Sequence, residues 1–136
     1  MAFIRAILLL LSISCPAQAL AVSKDDEAAQ DAALQWLQLI DAGRYEEAAS
    51  RTSQEVRTLE NWLDFFLTQR ALLGRSNKRQ VDEVKHASTV PGVPEIRRYH
   101  VVRFKTSFEH RPAAIEEVTI TKVGCCWEIF GYEISK

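Results

Sequence analysis

Recognisable catalytic and ligand-binding motifs are what this sequence most lacks. Its five glycines stand apart, so there is neither a glycine-rich phosphate loop nor a G-x-S-x-G nucleophile elbow. The histidines His86, His100 and His110 and the cysteines have no zinc-ligand spacing, so the sequence points to no metal and no other cofactor. Internal repeats and low-complexity runs are absent as well. Charge of one sign is not in excess, the formal net charge being −1. Positions 20–74 hold ten acidic and five basic residues, positions 75–136 eight and eleven. The basic residues are spread along the chain instead of massed, which argues against a nucleic-acid partner and for complementary charge between two layers of one domain.

Long apolar runs are missing too. Ala6 to Ile13, broken only by Ser12, is too short to span a bilayer. Arg5 precedes it and the small-x-small site Ala17-Gln18-Ala19 follows, which is the layout of a secretory signal peptide. Cleavage after Ala19 would export a single domain, residues 20–136, to the periplasm or the medium, with no membrane span left. Cys15 offers a rival reading as a lipid attachment site. Ser12-Ile13-Ser14 before it and Pro16 after it do not make a lipobox.

What is present is a run of helix patterns followed by strand patterns. Ser23 can cap a helix whose first turn carries Asp25, Asp26 and Glu27, where the helix dipole favours negative charge. Ala29, Ala33, Trp36, Leu37 and Ile40 form its apolar stripe, and Gly43 ends it. A short second helix spans Tyr45 to Arg51. Thr52 and Glu55 read as a capping box opening a third helix that runs to Leu73 and stops at Gly74. Its stripe is Val56, Leu59, Trp62, Leu63, Phe66 and Leu73. Arg70 falls on that apolar side, and a guanidinium there must reach water or meet a carboxylate.

Gln80 to Ala87 is a charged edge-strand candidate, and Val90-Pro91-Gly92-Val93-Pro94 a rigid turn segment. Three strands follow: Tyr99–Phe108, Ile115–Val123 and Trp127–Ile134, rich in β-branched and aromatic residues. In the first, His100, Val102, Phe104, Thr106 and Phe108 should face the helices. Matching apolar faces pairs Val102 with Ile120, Phe104 with Val118 and Thr106 with Glu116, and leaves 109–113 as a hairpin loop. His100 and Glu116 would then stand about 20 Å apart, at about 3.3 Å per strand residue, too far for an acid–base dyad. Glu116 is instead expected to pair with Arg70, locking helix to sheet. Of the adjacent Cys125 and Cys126, one is expected to be buried and one exposed, because neighbouring strand residues face opposite ways. Trp36, Trp62 and Trp127 lie on core stripes and read as packing.

Several of these residues fall into a family pattern. The motifs are Arg70-Ala-Leu-Leu-Gly74 with Arg79, Pro91-Gly92-Val93-Pro94, Tyr99-x-Val-x-x-Phe104-x-Thr-Ser-Phe108, Glu116-x-Val118-Thr119 and Trp127-x-Ile-x-Gly131-Tyr132. With Trp36-Leu37-x-x-Ile40-Asp41-x-Gly43-x-Tyr45, the chain resembles the uncharacterised exported bacterial family DUF4019 over nearly all of positions 20–136. That family often has a glycine where this chain has Ile96. The resemblance implies export and a nuclear transport factor 2-like, cystatin-like cone, and it implies no known activity.

The expected fold is therefore α+β, three N-terminal helices packed on a curved four-stranded antiparallel sheet. The cone would leave a pocket whose candidate ligand-binding residues are Arg70, Glu116, Tyr132, Trp62 and Phe104. The expected role is non-catalytic binding of a small ligand or a protein partner. The alternative is a small isomerase- or dehydratase-like enzyme with Glu116 or Asp41 as general base. A homodimer through Tyr99, Val101, Ile115 and Val123 is a further expectation.

Overall fold

The computed structural model describes residues 22–59 and 61–136, apart from the side chains of 59, 62, 63, 66 and 67. The signal-peptide segment and Cys15 lie outside the described residues, as do the side chains of Leu59, Trp62, Leu63 and Phe66. The fold is α+β, with a helical half followed by a curved, unclosed antiparallel sheet.

Helix α1 (Lys24–Asp41) starts where Ser23 Oγ accepts the Asp26 amide, 3.1 Å away, and ends just before Gly43 at φ 72°. Ala29, Ala33, Trp36, Leu37 and Ile40 are all buried, as their spacing requires. Trp36 also donates its indole N–H to the Ala48 carbonyl of the short α2 (Tyr45–Ser50).

The third helical region is not one continuous helix. It consists of α3 (Gln54–Leu59), α4 (Trp62–Phe65), a π-helical turn at Phe66–Arg70 and a 3-10 turn at Ala71–Leu73. Nor is Thr52 its cap. The strand-like bridge from Thr52 to Ile129 turns the Thr52 hydroxyl back to the Ala48 carbonyl, and Ser53 caps α3 through the Val56 amide. Gly74, at φ 74°, ends the region where a Cβ would meet the Glu109 side chain at 2.9 Å.

The sheet is a meander in the order β1 (Ser76–Ala87), β2 (Tyr99–Phe108), β3 (Arg111–Val123), β4 (Cys126–Ser135). The inward face of β2 is as expected: His100, Val102, Phe104, Thr106 and Phe108 are all buried. The β2–β3 register differs by two residues from the expected one. Val102 pairs with Val118, Phe104 with Glu116 and Thr106 with Ala114. The hairpin is tighter because β3 takes in Pro112 at an irregularity between Thr106 and Phe108, where a residue without an N–H is tolerated. A two-residue slip keeps every side chain on its face, so the apolar pattern could not exclude it.

Bulges decide what else faces α1. In β1, register shifts at Ser76/Lys78 and Val81/Glu83 each insert one residue, so that Ser76, Arg79 and His86 all pair with inward residues of β2. In β4, Phe130 is the inserted residue, which lets both Ile129 and Tyr132 join the core under α1.

That core combines the α1 stripe with Val102, Phe104, Val118, Ile120 and Ile129. A second cluster is built on Tyr99 and Phe130, with Val56 and Val93 closing over it. Tyr99 is fully buried there and donates its hydroxyl to the Glu95 carbonyl. It is therefore unavailable to the dimer face assigned to it, because the 88–98 segment folds over that end of the sheet. Cys125 and Cys126 are both exposed and free: Cys125 lies in the turn after Gly124, and Cys126 opens β4 opposite Val123 at the rim of the sheet.

Candidate functional site

Two groups of polar side chains lie between α1 and the sheet, one at each end of the helix. At the C-terminal end of α1, Glu116 on β3 exposes no surface. It accepts hydrogen bonds from Arg79 Nε at 2.8 Å, from the Thr106 hydroxyl and from the Tyr132 hydroxyl. Arg79 continues to Asp41, the last residue of α1, with contacts of 2.6 and 3.2 Å. Asp41 also accepts from Arg70 Nη2 at 2.6 Å and from the Ser76 hydroxyl at 2.9 Å. Arg70 donates to the Gly74 carbonyl and lays its guanidinium 4.3 Å from the centre of the Phe108 ring.

The result is an alternating chain, Glu116–Arg79–Asp41–Arg70, with two negative and two positive charges. The expected Arg70–Glu116 pair is thus replaced. Arg70 meets Asp41, and Glu116 meets Arg79. The reason is that β1 starts at Ser76 and not at Gln80, which brings Arg79 onto the sheet between the two. Burial would raise the Asp41 pKa, but the Arg79 hydrogen bonds and charge, with Ser76 and Arg70, outweigh it and hold the carboxyl below its ordinary value. Burial and the Glu116 charge push the Tyr132 phenol well above its usual value, so it stays protonated and donates.

At the N-terminal end of α1 the matching is incomplete. His86 on β1 and His100 on β2 stand directly opposite each other, their rings edge-to-face at 5.0 Å. Asp26, in the first turn of α1, reaches both: its Oδ1 lies 2.8 Å from His86 Nε2 and 3.3 Å from His100 Nε2. The second contact lacks hydrogen-bond geometry, and neither ring nitrogen of the buried His100 has a hydrogen-bond partner. Burial lowers the His100 pKa and His86 lowers it further, while Asp26 opposes both, so the net effect is to disfavour protonation of the ring. Trp127 packs edge-on against the His100 ring at 5.4 Å.

Of the pocket residues named from sequence, Glu116 and Tyr132 are brought together, Arg70 stands three links away from Glu116, and Phe104 is fully buried core. The Trp62 side chain lies outside the described residues. His100 and Glu116 do not touch. Their register partners set them four residues apart along β2, about 13 Å at about 3.3 Å each. Sequence reading missed Arg79, which it quoted only within the family motif, and the meeting of His86 with His100 and Asp26.

Open clefts lie on the outer face of the sheet and beside each of the two clusters. One of about 370 Å³, on the sheet face away from α1, is lined by Lys78, Lys105, Lys136, Pro112, Ala113 and Ile115 among others, with no acidic residue. A second, of about 260 Å³, has Asp41, Tyr45, Arg70, Arg75 and Ser76 in its wall. A third, of about 350 Å³, runs beside His100 between Asp25, Arg98 and Trp127. No helix among the described residues is long and apolar enough to cross a membrane.

A helix-covered antiparallel meander whose Glu116 and Asp41 carboxylates are met by Arg79 and Arg70 defines a small α+β domain with charge balanced at one end of its interior. The chain belongs to the family described as Protein of unknown function (DUF4019), whose profile matches residues 32–132. That span holds the whole charge chain and both histidines but not Asp26. No curated protein and no solved structure matches the chain.

Proposed function

We propose that the protein is an exported, non-catalytic binding domain that takes up a small organic anion with an apolar body. The observation that carries the non-catalytic reading is the state of Glu116: it exposes no surface and already accepts from Arg79, Thr106 and Tyr132. A general base needs reach to a substrate proton and a pKa near the working pH. Glu116 lacks the reach. Asp41 lines a cleft but is held acidic by two arginines, so it is a poor base too. Those two features weigh against the alternative, a small enzyme built on either carboxylate.

The ligand class follows from the outer cleft, where Lys78, Lys105 and Lys136 ring an apolar floor of Pro112, Ala113 and Ile115. Export is supported by the charged start, apolar run and Ala17-Gln18-Ala19 site at the N-terminus. The test is calorimetric titration with dodecanoate. Saturable binding is expected, weakened about tenfold or more, equivalent to about 1.4 kcal/mol, by Lys78→Glu with Lys105→Glu. No saturable binding, or equal binding by the double variant, refutes the reading.

A further inference from the structure

Two imidazoles and a carboxylate converge at the N-terminal end of α1. Donor atoms of Asp26, His86 and His100 all lie within 4.8 Å of one another. The Asp26 oxygen is 2.8 and 3.3 Å from the two histidine nitrogens. A tetrahedral ion with bonds of about 2.0–2.1 Å sets its ligand atoms about 3.3 Å apart. Of the three edges, Asp26–His100 already has that length, and Asp26–His86 is a hydrogen bond that lengthens by about half an ångström when an ion replaces the proton. The third, His86–His100, lies within 4.8 Å, so the exposed His86 closes toward His100 on binding.

The second observation is His100 itself. Only 4% of its surface is exposed, and both of its ring nitrogens lack a hydrogen-bond partner. Buried polar groups are nearly always satisfied, so an unmatched imidazole beside a carboxylate calls for a bound species. The three donors come from three elements already fixed by packing: α1 through Ala29 and Ala33, and β1 and β2 through their ladder. His86 is the exposed member, which gives an ion a way in and leaves a coordination position to water.

We infer that Asp26, His86 and His100 form a binding site for a first-row divalent transition-metal ion such as Zn²⁺. Two imidazoles and one carboxylate suit Zn²⁺, Co²⁺, Ni²⁺ or Cu²⁺, whereas Ca²⁺ and Mg²⁺ prefer all-oxygen shells. Three protein ligands with a fourth position open is also the ligand count of zinc sites that exchange a bound water. The site is separate from the lysine-ringed cleft and does not depend on the proposal for it.

The exposed thiols Cys125 and Cys126 could take up the same ions, so the test uses the Cys125→Ser, Cys126→Ser protein without a polyhistidine tag. Zn²⁺ titration against a chromophoric chelator should give one ion per chain, and Co²⁺ should give the visible absorption of a low-coordinate site. His86→Ala, an exposed change that leaves the core intact, should weaken Zn²⁺ binding at least about tenfold. It should also abolish any rise in Tm produced by Zn²⁺. Asp26→Asn should act in the same direction. Absence of one-to-one binding, or Zn²⁺ affinity unchanged in His86→Ala, overturns the assignment and leaves the cluster a helix-to-sheet contact.

Discussion

The two ends of α1 are built alike and finished differently. Each end offers a carboxylate from the helix (Asp41 or Asp26), a basic residue from β1 (Arg79 or His86) and a buried polar residue from the inner sheet (Glu116 or His100). At the Asp41 end both carboxylates are matched and two arginines supply fixed positive charge, while Arg70 Nε lacks a hydrogen-bond partner. At the Asp26 end only His86 is hydrogen-bonded to the carboxylate, and the buried nitrogen pair of His100 goes unused. Arginine cannot lose its proton, so it can only balance an acid, whereas imidazole can exchange its proton for a metal. The same geometry therefore makes a strut at one end and the proposed metal site at the other.

The largest test of this contrast is Arg79→Met. It strands Glu116 in the interior with only hydroxyl donors, and breaking a buried pair from one side costs about 3–5 kcal/mol. Urea unfolding should show that loss. A variant within 1 kcal/mol of wild type, roughly the scale of an exposed pair, would mean that the chain of charges is not a strut.

Arg70→Met should cost less, about 1–3 kcal/mol, because Asp41 keeps Arg79 and Ser76 and methionine can still cover Phe108. If Arg70→Met proved the more damaging of the two, the order of links from Glu116 to Arg70 would be wrong.

The smallest effect separates the ends by pH. The folded pKa of His100 is depressed, so below the unfolded value of about 6.5 the unfolded chain binds more protons than the folded one. Stability is full above that pH and falls as pH drops through the range beneath it. Asp41, also depressed, adds its loss only below about 3.8. Urea midpoints followed from pH 7.5 down to pH 5, a window set by the ordinary histidine pKa, should therefore decline in wild type and decline less in His100→Phe. Parallel slopes would remove His100 as the acid-sensitive group.

Much of the fold could be read in advance because it rests on local repetition. The α1 stripe, its Ser23 cap and the alternation along β2 follow from one chain segment at a time. The candidate site was legible only in part. Arg70 stood out as a charge on an apolar stripe, and its need for a carboxylate was correctly inferred, but not which one. Arg79 sits in a polar run, Ser76 to Arg79, with no strand-like alternation, so its place in β1 left no mark in composition. The histidine pair left none either, being 14 residues apart across a turn segment.

What the sequence determined alone is the set of faces: which residues of α1 and β2 must turn inward, and that one helix-borne charge needs a partner. Only the tertiary structure decided who meets whom. Arg79 and His86 are seven positions apart, an odd number, so an ideal strand would put them on opposite faces. The inserted residue between Val81 and Glu83 turns them to the same side. Where a bulge falls is set by ladder hydrogen bonds and packing summed over neighbouring strands, a quantity that no single stretch of sequence contains.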